Sequence, residues 1–581
     1  MNRDLSLIFH FTDKQGDSRP LSFTNPLKVY IAHTLEEVLP QFQKVQEAIE
    51  QGHYAAGYVS YEAAPAFESS LQVKDGGTMP LLWFGIFEKP GRLPEVSSGA
   101  FQLADWKSET DAHSYHTGFE KIKSEIERGN TYQVNYTMRL QSLFEGDDLA
   151  FFDRLKRAQQ SNYSAYLNVG THRILSASPE LFFRWQDGQL VTRPMKGTVK
   201  RGMTLKMDQD NAAWLAASEK NQAENYMIVD LLRNDLGMIA EQGSVKVPQL
   251  KEIEKYPTVW QMTSTITANT KPGTTIIDIF KALFPCGSIT GAPKIKTMEI
   301  ISEIENSPRG VYCGAIGYIT PDSEAVFNVP IRTVVIDAET NQAEYGVGGG
   351  ITWDSELTEE YDEAFLKAKL LSVERPAYKV LESMKLDDAG YHLLEEHIER
   401  MKRSAVYFGF PFPEWKLRNE LDKHARSNMG RLQKVRILLD EKGILEVSGQ
   451  AINPFDENIP LKVILAESPI SSGNPFLFHK TTNRGVYEKF QANHPDFFDV
   501  LLWNEEGFIT EFTNGNVVVK MEGDLFTPPI EAGLLAGTFR QDLIKGNVIK
   551  ERQISKDDLT LAEEIWFTNS VRGMVKVHLT F

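Results

Sequence analysis

From Leu181 the chain reads LFFRW, apolar and aromatic; QDGQ interrupts it with an Asp-Gly turn signal, and LVTRPM resumes an extended run as far as Pro194. This pattern predicts a β-hairpin with Asp187 and Gly188 as its turn and Gln186 facing Gln189. Counting outward puts Glu180 opposite Met195 and diagonal to Lys196, so a carboxylate and an amine converge on one small site. After about residue 113, HTGFEKIKSEIERGNTYQVNYT predicts an amphipathic helix followed by a strand. In AENYMIVDLLRNDLGMIA the apolar residues Met227, Ile228, Leu231 and Leu232 recur at helical spacing and place Glu224 one turn before them. SELTEEYDEAFLKAK is also helical, with Glu360, Glu363 and Lys367 on one face.

The charged run ELTEEYDEAFLKAKLLSVE meets Arg375-Pro376, which stops a helix, and VLESMKL then opens a new strand-like pattern. The chain is therefore divided into an N-terminal part (1–114), a central part (115–375) and a second half (376–581). That half carries a helix in EEHIERMKRSAVYFG, strands in KVRILLD and LKVILAE, a hairpin around Glu506-Gly507 and a final EIWFTNSVRGMVKV. Both halves read as α+β, without internal repeats.

With 581 residues the chain is too long for one ordinary core, and 41% hydrophobic with 24% charged residues is a globular composition. A net charge of -17 argues against a nucleic-acid binder and suits an enzyme whose basic groups sit in pockets for anionic substrates. The N-terminal stretch lacks the apolar segment of a secretory leader, and no run reaches the length of a membrane span. Only Cys286 and Cys313 occur, so neither a disulfide framework nor a zinc site is expected and the cytoplasm is the default compartment.

Glu360, Glu363 and Lys367 on one stripe suit a solvated, salt-bridged surface; opposed by Glu224 from another helix they suit a water-retaining Mg²⁺. Between these helices lie GSITGAPK, GVYCGAIGY, VPIRTVV and GVGGGITW. The run Gly346–Ile351 is not a dinucleotide fingerprint, since its last position is Ile and no crossover helix follows; its glycines could expose N–H groups as a nest for a carboxylate, with Arg332 as a bidentate partner. In the second half Lys480, in FHKTTNRGVYEKF, is followed by GFITEFTNGNVVV with Glu511 and Asn516, and by GLLAGTFR with small residues and a hydroxyl. An amine, a carboxylate for a pyridinium nitrogen and a phosphate cup are the parts a pyridoxal phosphate site requires.

PELFFR, PMKGT, AENYMIVDLLRNDL, GSITGAPK, GVYCGAIGY and GGGITWDSELTEEYDEAFLKAK, in this order over roughly residues 115 to 370, resemble the chorismate-utilising enzymes. The N-terminal GYVSYEAAPAF is similar to that family's less constrained leading part. Within the family, lysine in PMKGT resembles the aminodeoxychorismate-forming branch, where the anthranilate-forming branch carries PIAGT. The resemblance implies a chorismate-binding fold of β-sheets flanked by helices. It implies that Lys196 attacks C2 of chorismate as the C4 hydroxyl leaves, that Glu180 protonates that hydroxyl, and that ammonia then adds at C4. It also implies Mg²⁺ on Glu224 and Glu363 with help from Glu360, and substrate carboxylates on Thr290, Gly291, Tyr312, Arg332, Lys367 and the backbone of Gly348, Gly349 and Gly350.

Roughly residues 377 to 581 resemble the class IV aminotransferase fold family, with two subdomains. Lys480 matches the lysine that carries pyridoxal 5'-phosphate, Glu511 the partner of the pyridine nitrogen, Arg400 a phosphate ligand, Gly537-Thr538 the later phosphate turn, and Asn516 the usual E-x₄-N spacing. That family includes transaminases and a pyruvate-releasing lyase. Joined to the first half it implies the lyase, Lys480 removing the C4 proton as aminodeoxychorismate becomes 4-aminobenzoate for folate synthesis. No glutaminase segment is evident, so ammonia comes from a separate glutamine amidotransferase subunit or from solution; a homodimer through the second half is the expected assembly. The competing readings are an anthranilate synthase joined to a branched-chain-type transaminase, and a catalytically silent binding or regulatory module in either half; the paired lysines and carboxyls argue against the latter.

Overall fold

The computed structural model describes residues 5–95, 97, 99–372, 377–452 and 461–580. The chain forms two compact units, Met1–Lys200 with Ala212–Arg375, and Arg201–Asn211 with Pro376–Phe581. Residues 1–114 and 115–375, separated in the sequence reading, thus lie in one unit, and the eleven-residue stretch Arg201–Asn211 groups with the other. The helix stop at Arg375-Pro376 lies outside the described residues.

Among the described residues the first unit carries two ten-stranded sheets. They share a core of Phe9, Phe11 and Leu167 from one sheet and Tyr58, Trp83, Tyr318 and Val326 from the other. Helices cover both outer faces: Phe42, Ile228 and Phe280 pack on Phe182 and Phe327, while Phe119, Ile301 and Ala364 pack on Met138 and Tyr345. Strands inside such a sandwich are buried on both sides, which is why LFFRW reads as a continuous apolar run rather than an alternating one.

The strands and helices that matter for the site are β1 (Gln133–Gly146), β2 (Leu181–Gln186), β3 (Gln189–Arg193), β4 (Met195–Lys200), α1 (Glu219–Ile239), β5 (Val259–Asn269), β6 (Gln342–Ile351) and α2 (Leu357–Ala368). The hairpin of β2 and β3 turns through Asp187 and Gly188, with φ of 52° and 73°, the left-handed pair of a type I′ turn, and Gln186 pairs with Gln189. A bulge between Leu181 and Arg184 then pairs Leu181 with Arg193. The expected opposition of Glu180 and Met195 is therefore corrected. Pro194, without an N–H for the ladder, separates β3 from β4, and both strands run along β5, where Met195 faces Thr263. Glu180 sits in the turn before β2 instead.

Helix α1 starts at Ser218, whose side chain accepts from the Asn221 N–H, and buries Ile228, Leu232 and Leu236. Each of these side chains contributes roughly 1.5–3 kcal/mol through burial. That inward stripe sets the phase of the helix and with it the direction of Glu224, one turn earlier.

The second unit contains β7 (Val380–Asp387), α3 (Leu394–Phe408), β8 (Ile509–Phe512), β9 (Gly515–Met521) and α4 (Thr538–Lys545). A four-stranded sheet including β7 packs Met384, Val435 and Ile437 against Ile398, Met401 and Ala405 of α3. In the eight-stranded sheet β8 pairs on both sides, with Asp499–Trp503 and with β9, so six strands close into a ring. The α+β expectation holds for both units. No described helix is long and apolar enough to cross a membrane.

Candidate active sites

In the first unit Glu180 is 3% exposed, and its carboxylate accepts from Ser288 Oγ at 2.6 Å. Burial raises its pKa to about 7 against the opposing pull of Ser288 and Lys196. Lys196, on β4, moves the other way: burial lowers its pKa, while Glu224 and Glu180 resist. A buried acid whose proton is held more firmly than usual thus interacts electrostatically with an amine whose pKa is lowered.

Gln133 was not among the residues singled out from the sequence. It is 1% exposed at the start of β1, and neither its Oε1 nor its Nε2 has a hydrogen-bond partner. A Cβ placed on Gly350 would lie 1.9 Å from Gln133 Nε2 and 3.1 Å from Lys196 Nζ, so glycine there leaves the room in which amide and amine meet. The signal was a polar residue inside an otherwise strand-like TYQVNYT, which pattern alone does not separate from a surface position.

Helix α2 brings its three predicted residues to β6. Lys367 Nζ donates to Gly348 O at 2.7 Å and pairs with Glu363 at 2.7 Å, and Ser355 donates to Glu360 at 2.6 Å. A Cβ on Gly349 would be 3.2 Å from Glu360 Oε2, 3.5 Å from Lys367 Nζ and 3.9 Å from Glu363 Oε1. Lys367 holds the Glu363 carboxyl below its usual range, whereas burial raises those of Glu360 and Glu224. Among the described residues no three acidic, imidazole or thiol groups form a closed metal cage. Mg²⁺ ordinarily takes one or two carboxylates and keeps waters or substrate oxygens, and the carboxylates at Gly349 fit that demand.

The glycine run is not a nest. Gly348 pairs with Thr137 and Gly350 with Asn135 in the β1–β6 ladder, and no residue from Gly346 to Gly350 has a positive φ. Its glycines are required by close approach: a Cβ would meet the Tyr312 ring at Gly346 and Tyr136 O at Gly348. Tyr312 is buried, with the Arg139 guanidinium 5.1 Å from its ring centre. Arg332 donates to Lys367 O at 3.1 Å. Thr290 directs its hydroxyl to the Cys286 and Gly287 carbonyls, while Gly291, at φ +139°, lets its backbone approach Gln133. Both cysteines are buried, with thiols pushed up to about 12 and about 11 by burial, which leaves no reactive thiolate at neutral pH.

The second unit holds a cavity of about 400 Å³ lined by Lys480, Arg400, Glu511, Asn516, Gly537 and Thr538, so all six sequence-predicted residues meet there. Burial lowers the Lys480 pKa to about 7, with Arg400 adding to the effect. Glu511 is 4% exposed on β8; burial raises it to about 8, and it accepts from Tyr487 Oη at 2.8 Å, the Leu535 N–H at 3.2 Å and Asn516 Nδ2 at 3.3 Å. A Cβ on Gly537 would sit 2.0 Å from Asn516 Oδ1, which ties the start of α4 to β9. Arg400 forks onto Glu382 at 2.7 and 2.8 Å and also reaches Ala536 O. Burial alone would raise the Glu382 carboxyl, but Arg400 and His397 hold it far below the usual range. Glu382, His397, Tyr487 and Arg484 were not singled out from sequence. The donor set fits a phosphorylated pyridine: guanidinium and helix N-terminus at one end, a buried carboxyl at the other, an easily deprotonated lysine between.

Each unit thus contains an amine whose pKa burial lowers and a carboxyl whose pKa burial raises, which makes two candidate active sites, one in each unit. The chorismate binding enzyme family matches residues 89–372, and class IV amino-transferases match residues 379–579. Aminodeoxychorismate synthase component 1 of Salmonella typhimurium is 41% identical over 286 residues, 49% of this chain and 61% of that protein. Anthranilate synthase component 1 of Methanothermobacter thermautotrophicus is 34% identical over 369 residues, 59% of this chain and 77% of that protein. The crystal structure of anthranilate synthase component I from Streptococcus pneumoniae aligns with a TM-score of 0.53 at 25% identity, over 64% of this chain and 93% of that one. The chain belongs to the chorismate-binding enzyme family, and the segment after it matches the class IV amino-transferases. It spans about three fifths of the length of the first aminodeoxychorismate synthases it matches.

Proposed function

We propose that the first unit converts chorismate and ammonia to 4-amino-4-deoxychorismate and water, and that the second converts this intermediate to 4-aminobenzoate and pyruvate. The observation that carries the reading is the pairing of Glu180, protonated up to about pH 7, with Lys196, whose burial favours the neutral amine. Lys196 Nζ forms a bond to C2 as the C4–O bond breaks, and Glu180 delivers its proton to the leaving hydroxyl as water. Ammonia then bonds at C4 and the C2–N bond breaks, which restores the lysine. Gln133, with donor and acceptor both unused, is available to hydrogen-bond the ring substituents or the incoming ammonia. Tyr312 and Arg332 stand beside the strand that would carry the side-chain carboxylate. One or two of Glu224, Glu360 and Glu363 would hold Mg²⁺, which when bound supplies positive charge for the ring carboxylate.

In the second unit Arg400, Gly537 and Thr538 would hold the phosphate of pyridoxal 5'-phosphate, and Glu511 its ring nitrogen. That cofactor, when bound, supplies an electron sink at the substrate amine. Lys480, close to half deprotonated at neutral pH, is the group that takes the C4 proton as the ring becomes aromatic. We infer a separate glutaminase as the ammonia source, since both thiols are buried and unreactive.

The test supplies the full chain with chorismate, ammonium, Mg²⁺ and pyridoxal 5'-phosphate and separates products by chromatography. 4-Aminobenzoate and pyruvate in equal amounts support the proposal; 2-aminobenzoate would replace it by an anthranilate-forming first unit.

A further inference from the structure

The stretch Arg201–Asn211 leaves the first unit five residues after Lys196 and rejoins it before Glu224, and in between it is part of the second unit. It is folded tightly on itself. Arg201 forks onto Asp208 at 2.6 and 2.7 Å, the Gly202 N–H donates to the same carboxylate at 3.0 Å, and a Cβ on Gly202 would lie 2.2 Å from Asp208 N. Arg201 is 8% exposed and Asp208 1%, far more buried than a surface ion pair.

This clip is fastened to Tyr407 of α3. Arg201 Nη2 donates to Tyr407 O at 2.8 Å, the guanidinium carbon lies 4.6 Å from the Tyr407 ring centre, and Tyr407 Oη donates to Gly202 O at 2.8 Å. On its other side the Tyr407 ring stacks on the His479 imidazole, centroids 4.1 Å apart and planes inclined by 26°. Ser404 and Phe408, one turn apart on α3, complete the grip: Ser404 Oγ is 3.0 Å from His479 Nδ1, and the Phe408 ring meets the imidazole edge-on at 5.0 Å. The next residue is Lys480, whose carbonyl accepts from the Leu381 N–H at 2.9 Å. Lys480 is therefore held by two devices: the edge of β7 fixes its backbone, and the clip, through Tyr407 and His479, fixes the residue before it.

We infer that Arg201 and Asp208 are positioning residues of the second active site, acting through Tyr407 and His479 to hold Lys480 in its place on the cavity wall. The inference rests on the assignment of Lys480 as the reacting lysine of the proposed lyase. His479 stays neutral there: burial drives its pKa to about 3, with Arg201 and Arg403 on the same side and the Met203 backbone and Asp208 opposing. Burial is the largest effect on Lys480; Arg400, Arg484 and Lys434 also lower its pKa, Glu382 raises it, and Glu511 and His397 face it electrostatically as well. Opening the clip admits water behind Lys480 and removes part of the largest effect.

The test measures the pH midpoint of acetic anhydride labelling at Lys480 by mass spectrometry, in the full chain stripped of cofactor, together with lyase turnover of supplied aminodeoxychorismate by the loaded chain. Asp208→Asn should raise the midpoint by about one pH unit, which slows labelling at pH 7 about fivefold, and should lower turnover most at low pH. Tyr407→Phe, which removes only the hydroxyl bond to Gly202, should move the midpoint in the same direction by a smaller amount and decides the matter if Asp208→Asn does not fold. Arg201→Lys should recover part of the shift seen in Arg201→Gln. An unchanged midpoint in the folded variants overturns the inference. Loss of the cofactor's visible band in Lys480→Ala is a separate result, and its absence would remove the lysine assignment itself.

Discussion

Ser288 Oγ stands 2.6 Å from the Glu180 carboxylate and donates to it, in a setting from which Glu180 is 97% excluded from water. One hydrogen bond does not offset that burial, which pushes the carboxyl up from its ordinary 4.5 to about 7. At 1.36 kcal/mol per unit the neutral form is favoured by about 3 kcal/mol. Glu180→Gln should therefore reduce chorismate consumption by roughly 10²- to 10⁴-fold, the range for a lost general acid. Wild-type turnover should fall as pH rises past 7, and the variant's residual rate should not follow that fall. Saturating rates across pH 5–9 check both.

The same shift has a sign in stability. Because the folded pKa is raised, the contribution of protonated Glu180 is complete below about 4.5 and is lost as pH rises through about 7. Glu180→Gln should accordingly melt higher than wild type at pH 8 and show little difference at pH 4.5. Thermal melts at the two pH values check it; an equal difference at both would mean that Glu180 is ionised in the folded chain.

Gln133→Leu removes an amide that has no partner among the described residues. An unsatisfied buried polar group costs about 1–3 kcal/mol, so the variant should be as stable as wild type or more so. Its kcat/KM for chorismate should nevertheless drop at least tenfold. Calorimetry and kinetics on one preparation separate the outcomes: loss of stability with retained activity would make Gln133 a structural residue.

Glu224→Ala and Glu363→Ala should each raise the Mg²⁺ concentration needed for half-maximal chorismate consumption by tenfold or more. Conversion of supplied aminodeoxychorismate should not change, since these residues belong to the first unit. A Mg²⁺ titration with both assays decides whether they are ligands or ordinary helix carboxylates.

Lys480→Ala should stop 4-aminobenzoate formation while chorismate and ammonia are still consumed, so that aminodeoxychorismate accumulates. Adding an independent lyase should restore 4-aminobenzoate. Product formed at the wild-type rate without that addition would exclude Lys480 as the proton acceptor.

What could be read in advance was set by local physics. The Asp187-Gly188 turn, the phase of α1 and the shared face of Glu360, Glu363 and Lys367 follow from turn chemistry and helical period, and the structure contains each. The bulge between Leu181 and Arg184 does not follow, because it arises where β2 meets a second neighbour, Ala325–Asn328, with its own register shift. The glycine run looked like an anion nest in one dimension. In three dimensions it is a strand squeezed between Tyr312, Gln133 and α2, a constraint that depends on residues up to 217 positions away. Gln133 itself was invisible because its lack of partners is a property of the packed interior, and Glu382 because its importance lies in Arg400 and His397, on the helix that follows.

The clip formed by Arg201 and Asp208 also has a consequence for synthesis. Its partner Tyr407 lies 206 residues further along the chain. At roughly 5–20 residues per second the ribosome needs roughly 10–40 s to supply it. During that interval the eleven residues wait for the rest of their own unit, and the second unit, once made, folds onto a piece of chain that was translated long before it. A gene cut at residue 375 would separate the piece from its socket; a fragment boundary chosen from sequence alone would leave the later half without its oldest part.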